Sequence, residues 1–439
     1  MERRELLKGG AVLAAASVAP GVGIAHGAPA SFPPGFLWGA STAGHQVEGN
    51  NVSSDYWVLE HITPAAFAEP SGDAVNSLDL WPADLDLVRG MGLNTYRFSL
   101  EWARIEPEQG RFSAAMLDHY ARMIGGCRER GITPVVTFNH FTCPRWFTIA
   151  GGWRNPASPD LFARFCERAA KHLAHHIGYA VTLNEPNLPA LLAWTHIPPS
   201  VLAARQINRE AAAKALGIER FDAGFMFSRE EYAPMIANLA AAHKSGRQAI
   251  KSARPDLPVG MALAVADDQA VGPDSKRDAK RAEVYGPWLE AARDDEFIGV
   301  QNYTRSLIDA TGQMQTPAGA PTSSMRVEIY PPSLAGAVRY IHAASKLPVL
   351  ITEHGVATGD DRVRAAFIPA SLALLQQAIA EGVPVLGYIH WALVDNFEWY
   401  SGYTQQFGLA AVDRTSFART PKPSAAVLGA IARRNALAG

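Results

Sequence analysis

The sequence predicts a single (β/α)8 barrel, an α/β fold with extended βα connections, and three observations carry that prediction. Eight short apolar or β-branched runs recur between Phe36 and Leu393, and longer amphipathic, alanine-rich segments separate them. Several of those segments end at glycine, as helix C-termini do. Strand and helix in alternation mean parallel strands, and eight of them close a barrel. The chain has 439 residues, whereas a minimal barrel needs about 250. The surplus is expected in the connections after strands, notably 43–80, 187–255 and 304–345.

Taken in order, the first four runs are FLWGAST (36–42), TYRFSL (95–100), TPVVTFNH (133–140) and YAVTLNE (179–185). VGMALAV (259–265), FIGVQNY (297–303), PVLITE (348–353) and VLGYIHWAL (385–393) complete the set. Such near-continuous hydrophobic runs suit strands covered on both faces. Helical patterns lie between them, among them LDLWPADLDLVRGMG (78–92), MLDHYARMIGGCRERG (116–131), LFARFCERAAKHLAHHIG (161–178) and AAFIPASLALLQQAIAEG (365–382).

Composition narrows the function classes. The chain is 48% hydrophobic and 19% charged with a formal net charge of -2. Beyond the first residues there is no basic block, so a nucleic-acid partner is not expected. Three cysteines, Cys127, Cys143 and Cys166, lack CxxC spacing and read as core thiols, not as a disulfide framework or zinc cluster. The N-terminus MERRELLK places Arg3-Arg4 ahead of an apolar run from Gly9 to Ala25, a pattern similar to a twin-arginine export signal. With Pro20 and several glycines, that run is short for a stable membrane anchor. Residues 1–30 are therefore read as the signal and 31–439 as the barrel domain, periplasmic or secreted, or cytoplasmic if the arginine pair is fortuitous. The oligomeric state is left open.

In a barrel of this kind the chemistry sits where the strands end. The groups that break the apolar runs there are Gln46, Arg97, His140, Asn184, Glu185, Tyr303, Glu353 and Trp391. Two carboxylates from opposed strands are what acetal hydrolysis requires: one protonates the leaving oxygen, and the other attacks the anomeric carbon or activates water. Beside Glu353, Arg97 would keep a nucleophile ionised, while Glu185 would be held protonated by a less polar setting and by the like charge. His172 and His176 stand i and i+4, but no third metal ligand is evident nearby. A metal-dependent hydrolase on the same barrel would call for an H-x-H strand end, and the chain has none. A non-catalytic carbohydrate-binding protein is the other alternative, with both carboxylates in place against it.

Seven stretches together resemble glycoside hydrolase family 1, the β-glucosidase family. They are FPPGFLWGASTAGHQVEG, YRFSLEWARI, TFNHFTCP, TLNEPN, FIGVQNY, LITEHG and WALVDNFEWYSGYTQQFGL, in order from about Phe32 to Ser424. The resemblance implies a retaining enzyme with Glu185 as acid/base, Glu353 as nucleophile and Asn184 on the sugar 2-hydroxyl. It implies that Gln46, His140, Glu398 and Trp399 hold the other hydroxyls, with Trp391 as the floor under the ring and Phe407 beside it. Arg97 and Tyr303 would orient Glu353. No metal or organic cofactor is implied, and the substrate is a small-molecule β-glycoside, glucoside first, galactoside or fucoside tolerated. The carboxylate at Glu398 disfavours a phosphorylated sugar. The chain departs from the family pattern at Phe141 (usually Trp), Gln301 (often Asn), Gln406 (often Arg) and His354 (an Asn). An imidazole at 354 can titrate where an amide cannot, and its side chain is expected to point away from the sugar.

Overall fold

The computed structural model describes residues 31–437, so the export-signal reading of residues 1–30 lies outside it. Eight parallel strands close the barrel: β1 (Leu37–Ser41), β2 (Thr95–Ser99), β3 (Thr133–Asn139), β4 (Tyr179–Asn184), β5 (Val259–Ala264), β6 (Ile298–Asn302), β7 (Val349–His354) and β8 (Val385–Trp391). Each pairs with its neighbour in sequence, and β8 returns to β1 with Leu37 opposite Gly387. Every expected run forms a strand, most of them shorter by a residue or two at the ends, while the seventh loses Pro348 and extends one residue farther to His354.

The outer ring is α1 (Ser77–Gly90), α2 (Ala114–Glu129), α3 (Ser158–Leu173), α4 (Arg229–Ala253), α5 (Arg277–Val284), α6 (Ser333–Ser345), α7 (Asp361–Ala380) and α8 (Pro423–Arg434). Its apolar faces pack on the outward strand residues in one continuous core, while Val135, Val181, Ala262, Phe297, Leu350 and Ile389 fill the interior. By length and composition α7 could cross a membrane. Here Phe367, Ile368, Leu372 and Leu375 are buried, which is how a barrel helix uses such a sequence.

The long connections hold more regular structure than their sequences suggest. Much of 187–255 is α4, 25 residues long, started by a capping box at Ser228 and Glu231. Pro234 and Gly246 interrupt its pattern without breaking it. At Gly246 a Cβ would stand 2.8 Å from the Phe162 ring, so glycine lets α3 and α4 close together. The true surplus is the helices Leu188–Leu192 and Pro199–Leu216 over the barrel mouth. The stretch 304–345 likewise ends in α6, and its strand Arg305–Ile308 pairs with Asp267–Ala270 in a small parallel ribbon.

The described termini tie the barrel shut. Phe32 N donates to Asn435 O at 2.8 Å, and Trp38 Nε1 donates to Asn435 Oδ1 at 2.9 Å. All three cysteines are free and buried. His172 pairs with Asp118 at 2.8 Å on the surface.

Candidate active site

Strand alternation decides which residues face the cavity. In the β6–β7 register Gln301 lies opposite Glu353 and Asn302 opposite His354. The first pair points inward and the second outward. His354 accordingly stacks on Phe367 of α7, with ring centroids 4.9 Å apart, and its Nδ1 donates to Asn302 O at 2.7 Å. Burial holds its pKa down at about 4, so the imidazole is neutral and faces the helix layer instead of the sugar site. The sidechain orientation expected from sequence is the one observed.

Glu353 is held by three donors. Arg97 NH1 lies 2.5 Å from Oε1, Gln301 Nε2 donates to the same oxygen at 2.8 Å, and the Tyr303 hydroxyl donates to Oε2 at 2.5 Å. The remaining Arg97 nitrogens reach Thr137 Oγ1 at 3.1 Å and Asn184 Oδ1 at 2.5 Å. Asn184 Oδ1 also accepts from Gln301 Nε2 at 2.8 Å. One fully buried guanidinium thus links β2, β3, β4 and β7.

Glu185 differs in having no such grip. Burial first, then the negative charges of Glu353 and Glu398, push its pKa well above the carboxylate range. Burial raises Glu353 as well, but Arg97 and Tyr303 pull it back. The three donors thus favour the charged form of Glu353, while burial beside a second carboxylate favours the protonated form of Glu185.

Nine of the eleven residues expected at the site line one cavity of about 340 Å³: His140, Asn184, Glu185, Tyr303, Glu353, Trp391, Glu398, Trp399 and Phe407. The other two, Gln46 and Arg97, stand one layer behind. Gln46 Nε2 donates to Phe397 O at 2.7 Å and to Glu398 Oε2 at 3.3 Å, so its visible work is to position Glu398. His140 lies nearly parallel to Trp391 and Trp399, with centroids 5.9 and 6.0 Å away. Burial, then Arg97, holds it neutral. Gln46 Oε1, His140 Nδ1, Asn184 Nδ2 and Gln301 Oε1 are buried without a protein partner. Donors and acceptors fixed in that way suit the hydroxyls of a sugar ring. Behind Trp399, His45 stacks on the indole at 5.8 Å and its Nε2 contacts Glu60 at 2.7 Å.

Glu398, whose carboxylate is expected to disfavour a phosphorylated sugar, lines the cavity near Glu353. Burial, then Glu353, lifts the pKa of Glu398 to about 8. Among the described residues, neither lysine nor arginine lines the cavity to receive a phosphate.

Gln301 is the functional residue that the sequence noted only as a departure. It stands two positions before Tyr303, hence on the same strand face, and that spacing was the available signal. Three backbone strains had no such signal: Phe141, Glu185 and Trp399 take left-handed φ of 66°, 45° and 49°. Non-glycine residues in that region cost about 1–3 kcal/mol each and gather at functional sites.

A parallel barrel whose fourth and seventh strands present two buried carboxylates in unequal settings, among groups matched to sugar hydroxyls, is built to cleave glycosidic bonds. The model of Glycosyl hydrolase family 1 matches residues 28–292 and 296–437, and the chain belongs to that family. It is 28% identical over 450 residues to β-glucosidase A of Thermotoga maritima, covering 92% of this chain and 98% of the relative. The solved β-glycosidase BGL167 superimposes with a TM-score of 0.87 at 46% identity, over 93% of this chain and 98% of that one. The apo structure of β-glucosidase 1317 gives 0.88 at 40%, over 92% and 99%.

Proposed function

We propose that the protein hydrolyses unphosphorylated β-glycosides, β-glucosides first, with retention through a double displacement. The observation that carries the assignment is the unequal treatment of the two carboxylates: three donors on Glu353 and none on Glu185. In the first step the Glu353 carboxylate attacks the anomeric carbon. The bond to the aglycone oxygen breaks, and Glu185 gives its proton to that oxygen. In the second step Glu185 takes a proton from water, which displaces Glu353 and restores the β-configuration. Asn184 Nδ2 would donate to the 2-hydroxyl. His140, Glu398 and Trp399 would serve the other hydroxyls, with Gln46 positioning Glu398, Trp391 as the floor of the ring and Phe407 beside it. Galactosides and fucosides differ from glucosides by single groups and are the secondary substrates.

Release of phenol from aryl β-glycosides tests the reaction. Glu353→Ala is expected to lower turnover by roughly 10³-fold or more with the fold retained, and azide should restore part of it. Glu185→Ala should spare substrates whose leaving groups are strongly acidic. Equal loss across all leaving groups would reverse the assignment of roles.

The Arg3-Arg4 pair and the apolar run after it support export, hence a periplasmic or secreted enzyme. N-terminal sequencing of protein from cell fractions tests this, and an intact Met1 in the cytoplasm would refute it.

A further inference from the structure

We propose that the outer half of the cavity is a subsite for a bulky apolar aglycone in preference to a second sugar; this rests on the hydrolytic reading above and names its substrate class.

The cavity changes character along its length. Around the carboxylates its lining is polar and matched to hydroxyls. Beyond Glu185 it is formed by Leu188, Leu191, Leu192, Phe225, Met226 and Val327. The three leucines come from one short helix, Leu188–Leu192, and their i, i+3, i+4 spacing sets them on one face. A single turn joins that helix to the acid/base, since Leu188 N donates to Glu185 O at 2.9 Å. The apolar wall therefore begins where the leaving oxygen must lie.

Several polar side chains on this wall are already committed to the protein. Thr195 Oγ1 donates to Leu192 O at 2.7 Å, and Thr304 Oγ1 donates to Glu328 O at 2.9 Å. The Glu328 carboxylate is held by a fork from Arg305, at 2.9 and 3.0 Å. A sugar brings hydroxyls that lose water on entry and need partners in return. An apolar alcohol needs only surface to cover.

The mouth fits the same occupant. Met325 lines it while 42% exposed, and half-buried Met226 lines it too. Flexible thioether side chains can adapt to irregular apolar shapes. A second groove of about 220 Å³ shares Leu192, Thr195 and Met226 with the cavity and runs on past Ile197 and Leu202, with Ser228, Arg229 and Glu230 also on its lining. An aglycone longer or wider than one ring has room to continue there.

The test is kcat/KM of the purified protein on n-alkyl β-glucosides from methyl to octyl, with cellobiose alongside. Primary alcohols along the series are similar leaving groups, so differences report aglycone contact in the transition state. Expected is a rise of about fourfold per added methylene until the cavity is filled. Octyl glucoside should exceed cellobiose by about 100-fold or more. Leu191→Asn and Met325→Ser should each lower the octyl-to-methyl ratio by about tenfold, a ratio in which partial misfolding cancels. A flat alkyl series, or cellobiose equal to octyl glucoside, would overturn the proposal. Calorimetric binding of octyl and methyl β-glucoside to the Glu353→Gln variant reads the preference without turnover, and equal affinities would overturn it too. Preference in binding with no hydrolysis of any β-glucoside would uphold the subsite and count against the reaction.

Discussion

Glu353 and Glu185 share one cavity and one chemistry, and the donors aimed at each decide which holds the proton. Gln301 is the donor least expected from the family pattern, and it bridges Glu353 Oε1 to Asn184 Oδ1 at 2.8 Å on both sides. A hydrogen bond to a charged group contributes about 1.5–3 kcal/mol. Gln301→Leu should therefore lower kcat/KM by about 10- to 100-fold. Losing a donor to the anion raises the pKa of Glu353, so the acidic limb of the pH profile should move upward. Gln301→Asn should recover part of both effects. His354 gives the opposite result. Because it faces α7, His354→Asn should leave the pH profile of kcat/KM unchanged. Its effect belongs to stability, since burial lowers its pKa from 6.5 to about 4. The unfolded chain takes up a proton in that interval and the folded one does not. Stability present above 6.5 is thus lost as the pH falls toward 4, by up to about 3 kcal/mol. The variant should lose less stability than the parent between neutral and mildly acidic pH in urea unfolding.

At the scale of elements, the catalytic geometry depends on how closely β7 and β8 approach beyond their paired residues. A Cβ on Gly355 would lie 2.1 Å from the Trp391 carbonyl oxygen and 3.2 Å from its carbon. Both are backbone atoms, with no flexible side chain to yield. Gly355→Ala should push the end of β7 off β8, shifting Glu353 relative to the Trp391 floor. Misplacement by about 1 Å costs about 100-fold in rate, and steric strain of this kind about 1–3 kcal/mol in stability. Thermal melting and kcat measured together check this. A large fall in melting temperature at full activity would mean that the strand end relaxes elsewhere.

For the whole molecule, the barrel is closed by strands and also by the start and end of the described chain. Phe32 is 1% exposed, and its ring lies 5.0 Å from Phe36 and 4.7 Å from Trp38. Asn435 bonds to both Phe32 and Trp38. A chain beginning at Ser31 should fold and turn over like the full chain. One beginning at Phe36 loses the Phe32 ring, which should cost about 3–5 kcal/mol, measured by denaturant midpoint. Equal midpoints for the two would remove Phe32 from the core.

The sequence by itself determined the eight strands, because an apolar run bounded by turn residues is a local property, and it placed Glu185 and Glu353 at strand ends for the same reason. It also set Gln301 and Tyr303 on one face, through strict alternation along β6. It did not reveal α4, whose pattern Pro234 and Gly246 interrupt, nor the four-residue ribbon strands, too short to carry a period. Only the tertiary structure decided which donors reach each carboxylate. Arg97 and Glu353 are 256 residues apart in the chain, and Gln301 and Asn184 are 117 apart. Hydrogen bonds and desolvation act over a few ångströms, so such groups have no relation until the barrel closes and brings them together. The apolar outer cavity arises in the same way, from leucines, methionines and a valine that separate connections deliver to one mouth.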